Sequence, residues 1–290
     1  MKLCSSVRFK HYHLYSPFKS NWFLTHYLYA MWAFLHKLSS PPYFYSFAGR
    51  LIPYVGWTCA VLLLIGLYQA LIVAPVDYQQ GHSYRIMFVH VPAAWMGMFI
   101  YAFMAVSAAI GIIWKIKLAD IMAACAAPIG ASFALLALAT GSLWGKPMWG
   151  TWWAWDARLT STLIMFFLYL GIIALNSAIE DKRNAARASG ILAIVGAVNL
   201  PIIKFSVDWW NSLHQGSTIS ILKMKSNIDI SMLIPLLIMA IAFKLFFVLV
   251  LLMRARNEVL EREKNSKWVE SLLLTPVTLT TASNPSVVKE

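Results

Sequence analysis

Six stretches of the chain are almost wholly apolar, most of them near twenty residues long, with short polar or aromatic-rich segments between them. They run over about Leu51–Val73, Val91–Trp114, Ile121–Leu143, Leu159–Ala178, Gly190–Ile203 and Ser231–Met253. An α-helix of roughly twenty residues crosses the hydrocarbon layer of a bilayer, and only helices or closed barrels satisfy every backbone group there. The pattern therefore predicts an all-α integral membrane protein with six transmembrane helices. The fifth stretch is short and is interrupted by Asn199 and Pro201, so its backbone needs partners from neighbouring helices or water. No internal repeat divides the array, and residues 51–253 read as one membrane domain.

Composition agrees: 60% of residues are hydrophobic and 12% charged. The charges decide orientation. Lys115 and Lys117 share one short loop, Lys182, Arg183 and Arg187 another, and Arg254, Arg256, Arg262, Lys264 and Lys267 follow the last stretch. Three opposite loops, two of them long, hold only Arg85, Lys146, Arg158, Lys204, Lys223 and Lys225. Cytoplasmic loops carry the excess of Lys and Arg, so both termini are expected in the cytoplasm and the sparser loops outside. The net charge of +12 is then topological bias plus attraction to anionic membrane lipid. It forms no patch interleaved with readers, so no nucleic-acid partner is expected.

Residues 1–30 are rich in Tyr, His, Ser, Lys and Phe, contain no Asp or Glu, and make a poor secretory signal. They read as a basic extension or as translation from an upstream start, with Met31 as the preferred beginning. Residues 31–50 are expected to lie along the interface, and 254–290 to form a charged tail that ends without order. The three cysteines, Cys4, Cys59 and Cys125, make no CxxC pair and suggest neither disulfide nor thiol chemistry. There is no Walker A loop, no HExxH and no visible nucleophile triad, so no enzyme activity is expected.

Candidate chemistry gathers on the outward side. Trp144, Trp149, Trp152, Trp153 and Trp155 fall within thirteen residues, in a segment expected to be a loop between the third and fourth helices. So many indoles make a broad flat surface that suits a planar ligand or a membrane interface. His90 lies at the mouth of the second stretch, where Pro92 can begin a helix, and His214 follows the broken fifth stretch beside Trp209 and Trp210. Neutral imidazole is an axial ligand for haem iron, and two facing imidazoles would give a six-coordinate site. A lipid-facing aromatic belt with hydrogen-bonding structural histidines explains single residues equally well, and spacing alone leaves the two readings level. Arg85 and Arg158, at outer membrane edges, are candidate partners for carboxylates. Asp156 closes the tryptophan segment and is expected chiefly to cap the fourth helix. Lys244, inside the sixth stretch, has no assigned role beyond snorkelling or facing a polar neighbour, which another subunit could supply.

These stretches together resemble the CcmC family of cytochrome c maturation proteins. The resemblance rests on Trp144-Gly-x-x-x-Trp-Gly-x-x-Trp-x-Trp-Asp156, on Tyr78-Gln-Gln-Gly-x-Ser-Tyr-Arg-Ile86, and on His90-Val-Pro-Ala-Ala94. Asp156-Ala-Arg-Leu-Thr-Ser161 and Leu213-His-Gln-Gly-Ser-Thr218 complete it, and the likeness runs from about Met31 to near Glu270. It implies a protein of the bacterial inner membrane that holds haem b in transit at the outer face. His90 and His214 would be the axial ligands, and Trp144, Trp149, Trp152, Trp153, Trp155 and Asp156 the surrounding motif. It implies delivery to the periplasmic haem chaperone CcmE and association with the ABC transporter subunits CcmA and CcmB and the small subunit CcmD. Two other readings stay open at this point: a bis-histidine b-type cytochrome for electron transfer, and a scaffold subunit that binds no haem.

Overall fold

The computed structural model describes residues 39–210, 212–214, 219–220, 225–226 and 228–272. The chain divides into Met1–Ser40 and Pro41–Glu290, and the described fold is essentially that of the second unit. The expected extension over residues 1–30, the start of the interfacial segment and the end of the tail lie outside the described residues.

Among the described residues seven α-helices carry the fold: α1 Pro41–Tyr68, α2 Met87–Trp114, α3 Lys117–Trp149, α4 Ala157–Ala178, α5 Lys182–Gly196, α6 Asn199–Trp209 and α7 Ile230–Arg262. With α5 and α6 taken together they give six segments long and apolar enough to cross a membrane. Two-residue strands β1 (Ile219–Ser220) and β2 (Lys225–Ser226) pair antiparallel in the last connection.

Several helices run further than the apolar pattern marks. The first begins at Pro41 rather than near residue 51, so part of the expected interfacial segment is continuous with it. The second begins at Met87, which puts Pro92 inside the helix and His90 in its first turn. The third continues through Trp144 to Trp149, past Pro147, and stops only at Gly150, in the left-handed conformation (φ 75°) that glycine adopts without penalty. Half of the expected tryptophan loop is therefore helical. The fifth crossing spans Lys182–Trp209, longer than expected, and its break falls at Ala197–Val198, just ahead of Asn199. Asn199 donates through its amide to the Ser161 carbonyl of α4 at 2.8 Å, the neighbouring-helix partner such a break requires.

Three helices start at aspartates that accept backbone N–H groups: Asp156 from Leu159 at 2.8 Å, Asp181 from Asn184 at 2.7 Å and Asp229 from Ser231 at 2.9 Å. The caps at Asp156 and Asp181 are each worth about 1 kcal/mol. At the far end of α1 a π-helical turn, Gln69–Val73, leaves carbonyls unpaired. The Arg85 guanidinium fills that gap, donating to the Leu71 carbonyl and, at 2.9 Å, to that of Ala74.

The centre of the bundle is α2 against α3, with α4, α5 and α7 packed around them and α1 lying along α7. Close approach depends on small residues, as between helices in lipid generally. A Cβ on Gly97 would press the Met165 methyl group at 3.3 Å, tighter than an ordinary contact. Gly130 and Gly196 leave room for Tyr169 and Tyr101: a Cβ there would meet their side chains at 2.2 and 2.1 Å. These two buried tyrosines pack edge to face at 5.0 Å, and Tyr169 donates to the Gly97 carbonyl at 2.8 Å. All of this lies below the end of the bundle where α2, α4 and α7 begin and α3 and α6 finish.

Candidate functional site: a cavity between two histidines

At that end of the bundle opens a cavity of about 740 Å³, within the roughly 300–1,000 Å³ usual for ligand sites. His90, His214, Trp144, Trp149 and Arg158 all line it, together with Lys204. Its deeper wall is apolar, formed by Met165, Leu159 and Leu236.

His90 stands on the first turn of α2 and leans on α3. Its Nδ1 lies 3.1 Å from Thr140 Oγ1, and that hydroxyl already donates its one hydrogen to the Leu136 carbonyl at 2.6 Å. Oxygen can then only accept, so the proton sits on Nδ1 of the imidazole and the lone pair on Nε2. Gly141 makes the contact feasible, since a Cβ there would come within 3.0 Å of His90 Cε1. The Trp144 ring meets the imidazole edge to face at 5.8 Å and is itself held by a hydrogen bond from Nε1 to Gln80 Oε1 at 3.0 Å.

His214 is placed by different means. Its Nδ1 lies 3.3 Å from Asp156 Oδ2, an oxygen that also accepts the Ser212 hydroxyl at 2.5 Å. Ser212 Oγ in turn accepts the His214 backbone N–H at 3.1 Å. Burial favours the neutral acid at Asp156, but the hydrogen bonds from Ser212 and Leu159, with His214 beside it, outweigh this and hold its pKa below the ordinary carboxylate range. Burial likewise pushes the His214 imidazole below its ordinary range, against the upward pull of Asp156 and with the Arg158 charge adding to the lowering. The contact is therefore a hydrogen bond from a neutral imidazole to a carboxylate rather than an ion pair. It fixes the same tautomer as at His90, with the lone pair on Nε2. Trp149 packs edge-on against this ring at 4.9 Å.

The remaining expected residues divide. Arg158 faces the cavity, steadied by a hydrogen bond to Ser206 Oγ at 3.2 Å. Arg85 is not in the lining; its guanidinium serves the end of the π-helical turn. Trp152, Trp153 and Trp155 are absent from the cavity wall as well. Trp153 and Trp155 meet each other at 5.6 Å, and Trp155 is 78% exposed. Trp152 lies under Lys146, whose ammonium is 6.0 Å from its ring. Asp156 is both a helix cap and the support of His214. Sequence reasoning missed Thr140, Ser212, Gln80 and Lys204. Thr140 carries a usable signal, being four residues before Trp144 on the same helical face. Ser212 and Gln80 come into place only through long-range folding.

Among the described residues no group of three or more His, Cys, Asp or Glu side chains is gathered to hold a bare metal ion. Two imidazoles with free Nε2 lone pairs suit instead an iron that brings its own equatorial ligands. A six-span membrane protein with a paired-imidazole cavity at one end is the class that fold and site define.

Comparison with known proteins narrows this. Residues 34–270 match the family model described as Heme exporter protein C, CcmC. The chain is 52% identical over 244 residues to Heme exporter protein C of Escherichia coli (strain K12), covering 84% of this chain and 98% of that one. It is 54% identical over 233 residues to the protein of the same name from Bradyrhizobium diazoefficiens, covering 80% and 88%. A Marchantia polymorpha protein named for cytochrome c biosynthesis, ccmC-like and mitochondrial, is 48% identical over 195 residues, covering 66% and 82%. The chain belongs to the Heme exporter protein C family. It is a multi-pass protein of the bacterial inner membrane.

Proposed function

We propose that the cavity receives haem b in transit, with His90 and His214 as the two axial ligands through Nε2, and passes it on in cytochrome c maturation. The observation that carries this reading is the shared tautomer. In one cavity, two neutral imidazoles each commit Nδ1–H to an oxygen acceptor and keep Nε2 free. Trp144 and Trp149, edge-on to the two rings, flank the porphyrin. Arg158 and Lys204 are the cavity cations available to the propionates. Arg85 acts one step back, by holding the π-helical turn.

The charge asymmetry supports an orientation with this cavity on the periplasmic side and both termini in the cytoplasm. The acceptor in this reading is the periplasmic chaperone CcmE. The exposed Trp152 and Trp155 form the rim over which haem leaves. The chain works with CcmA, CcmB and CcmD of an ABC-type system and catalyses no reaction of its own. Occupying both axial positions keeps the iron from oxygen chemistry while the haem is carried.

The test is an absorption spectrum of protein purified in mild detergent, wild type beside His90→Ala and His214→Ala. A six-coordinate haem spectrum lost in both variants is expected. A colourless wild type from haem-replete cells would sink the reading in favour of a scaffold. Haem retained in full by both variants would move the ligands elsewhere. Bound haem that never loads CcmE would turn the reading into a b-type electron carrier.

A further inference from the structure

Lys244 is the single charged residue in all six apolar stretches; no Asp, Glu, Arg or other Lys falls within them. It sits on α7, fourteen residues after Ile230. At about 1.5 Å per residue, its Cα lies roughly 22 Å from Asp229 and roughly 15 Å from Arg254, the first charges on either side of it. That is close to the middle of a hydrocarbon layer about 30 Å thick. Phe99, whose ring lies 5.9 Å from the ammonium, is itself about 18 Å along α2 from Met87, so two helices give the same depth.

A lysine can reach a membrane surface by extending its stem, but a stem of about 6 Å does not bridge this distance. Helical side chains also lean toward the helix N-terminus, away from the nearer, basic end. Among the described residues no carboxylate stands at that depth, and no hydrogen bond or ion pair engages the ammonium. Among the described residues the ring of Phe99, over which the ammonium lies, is its sole partner.

The surface around it is continuous. Ile234, Leu237, Ile241 and Lys244 follow one another at helical spacing along α7, and all are exposed. This face lies between the side of α7 that packs on α1, through Met239 and Ala242, and the side that meets α2, through Phe247. Phe99 of α2, 47% exposed, borders it.

We infer that this α7 face docks a transmembrane helix of a partner subunit that presents an Asp or Glu to Lys244 at mid-membrane depth. A charge left facing acyl chains is strongly disfavoured, whereas buried intramembrane charges pair with one another. An ammonium that no carboxylate among the described residues meets defines the chemistry of what covers it. The inference does not depend on what the cavity holds.

The experiment places the photoreactive residue p-benzoylphenylalanine at Ile241 of the full chain. Native membranes are irradiated and the cross-linked peptide is identified by mass spectrometry. The expected product joins Ile241 to a transmembrane segment of another polypeptide with an Asp or Glu within about one helical turn of the cross-link. Its yield should drop about fivefold or more in Lys244→Met and persist in Lys244→Arg. Changing the partner's carboxylate to the amide should cause the same drop. Lys244→Met removes a charge from an apolar setting, and an unchanged elution profile in detergent verifies its fold. Cross-links to lipid alone, to a helix without a carboxylate or to a second copy of this chain would overturn the inference. So would a yield that Lys244→Met leaves unchanged.

Discussion

Asp156→Asn separates the two jobs of one side chain. Asparagine caps helices as well as aspartate does, so Oδ1 can go on accepting the Leu159 N–H and α4 keeps its start. The other oxygen is replaced by an NH₂ group, which cannot accept. Ser212 and the His214 Nδ1–H, both of which converge on Oδ2, lose their acceptor. The imidazole must then turn away, which misaims Nε2, or move its proton to Nε2, which occupies the lone pair; either change would weaken ligation of a haem iron. Loss of such a supporting partner typically weakens metal binding by about 10–100-fold, or roughly 1.4–2.8 kcal/mol. The assay is haem titration of the apo protein in detergent, followed by absorbance, beside a thermal melt. The expected result is a Kd raised about 10–100-fold with the melting midpoint within about 2 °C of wild type. A Kd within twofold of wild type would refute the view that Asp156 sets the tautomer of His214. A lowered midpoint at unchanged Kd would reduce Asp156 to a helix cap.

Arg158→Met should weaken haem binding by about tenfold, the loss of roughly one charge-assisted contact. Haem with esterified propionates should bind wild type and variant alike; a difference that persists with the ester would count against propionate contact. Arg85→Met should lower the melting midpoint, because the Leu71 and Ala74 carbonyls lose their donor, and should leave the haem Kd within about threefold. The reverse pattern would return Arg85 to the binding site. The folded-state pKa of His214 is depressed, so its imidazole stays neutral below the ordinary value of about 6.5. Haem affinity should be flat from about pH 8 to about 6.5 and fall only below that. The apo protein should lose stability over the same acid range, because the unfolded chain takes up a proton that the folded chain does not. Affinity already declining well above pH 6.5 would contradict this.

The six crossings were legible because lipid demands long apolar runs, and nothing in that signal depends on tertiary detail. Their ends were not. Trp144–Trp149 look like a loop because Gly145 and Pro147 are poor helix formers, yet α3 continues until Gly150 offers a left-handed stop. His90 and His214 stood out by type and neighbourhood, and the structure brings both to one cavity. Five tryptophans stood out as a block, and the fold divides them. Trp144 and Trp149, five residues apart on a helix, reach the cavity; Trp152, Trp153 and Trp155, beyond the glycine, do not. Arg85 looked like Arg158 in sequence because both end apolar runs. What separates them is a π-helical turn whose unpaired carbonyls no sequence pattern announces.

His90 grows from a long helix and is wedged against α3, whereas His214 lies on a short stretch outside any helix and takes its position from Asp156. The gap between the two imidazoles is thus gauged by the connection from Gly150 to Asp156, a segment that contains neither. Lengthening or shortening that connection would reset the jaws of the site while leaving both imidazoles and their chain neighbours untouched.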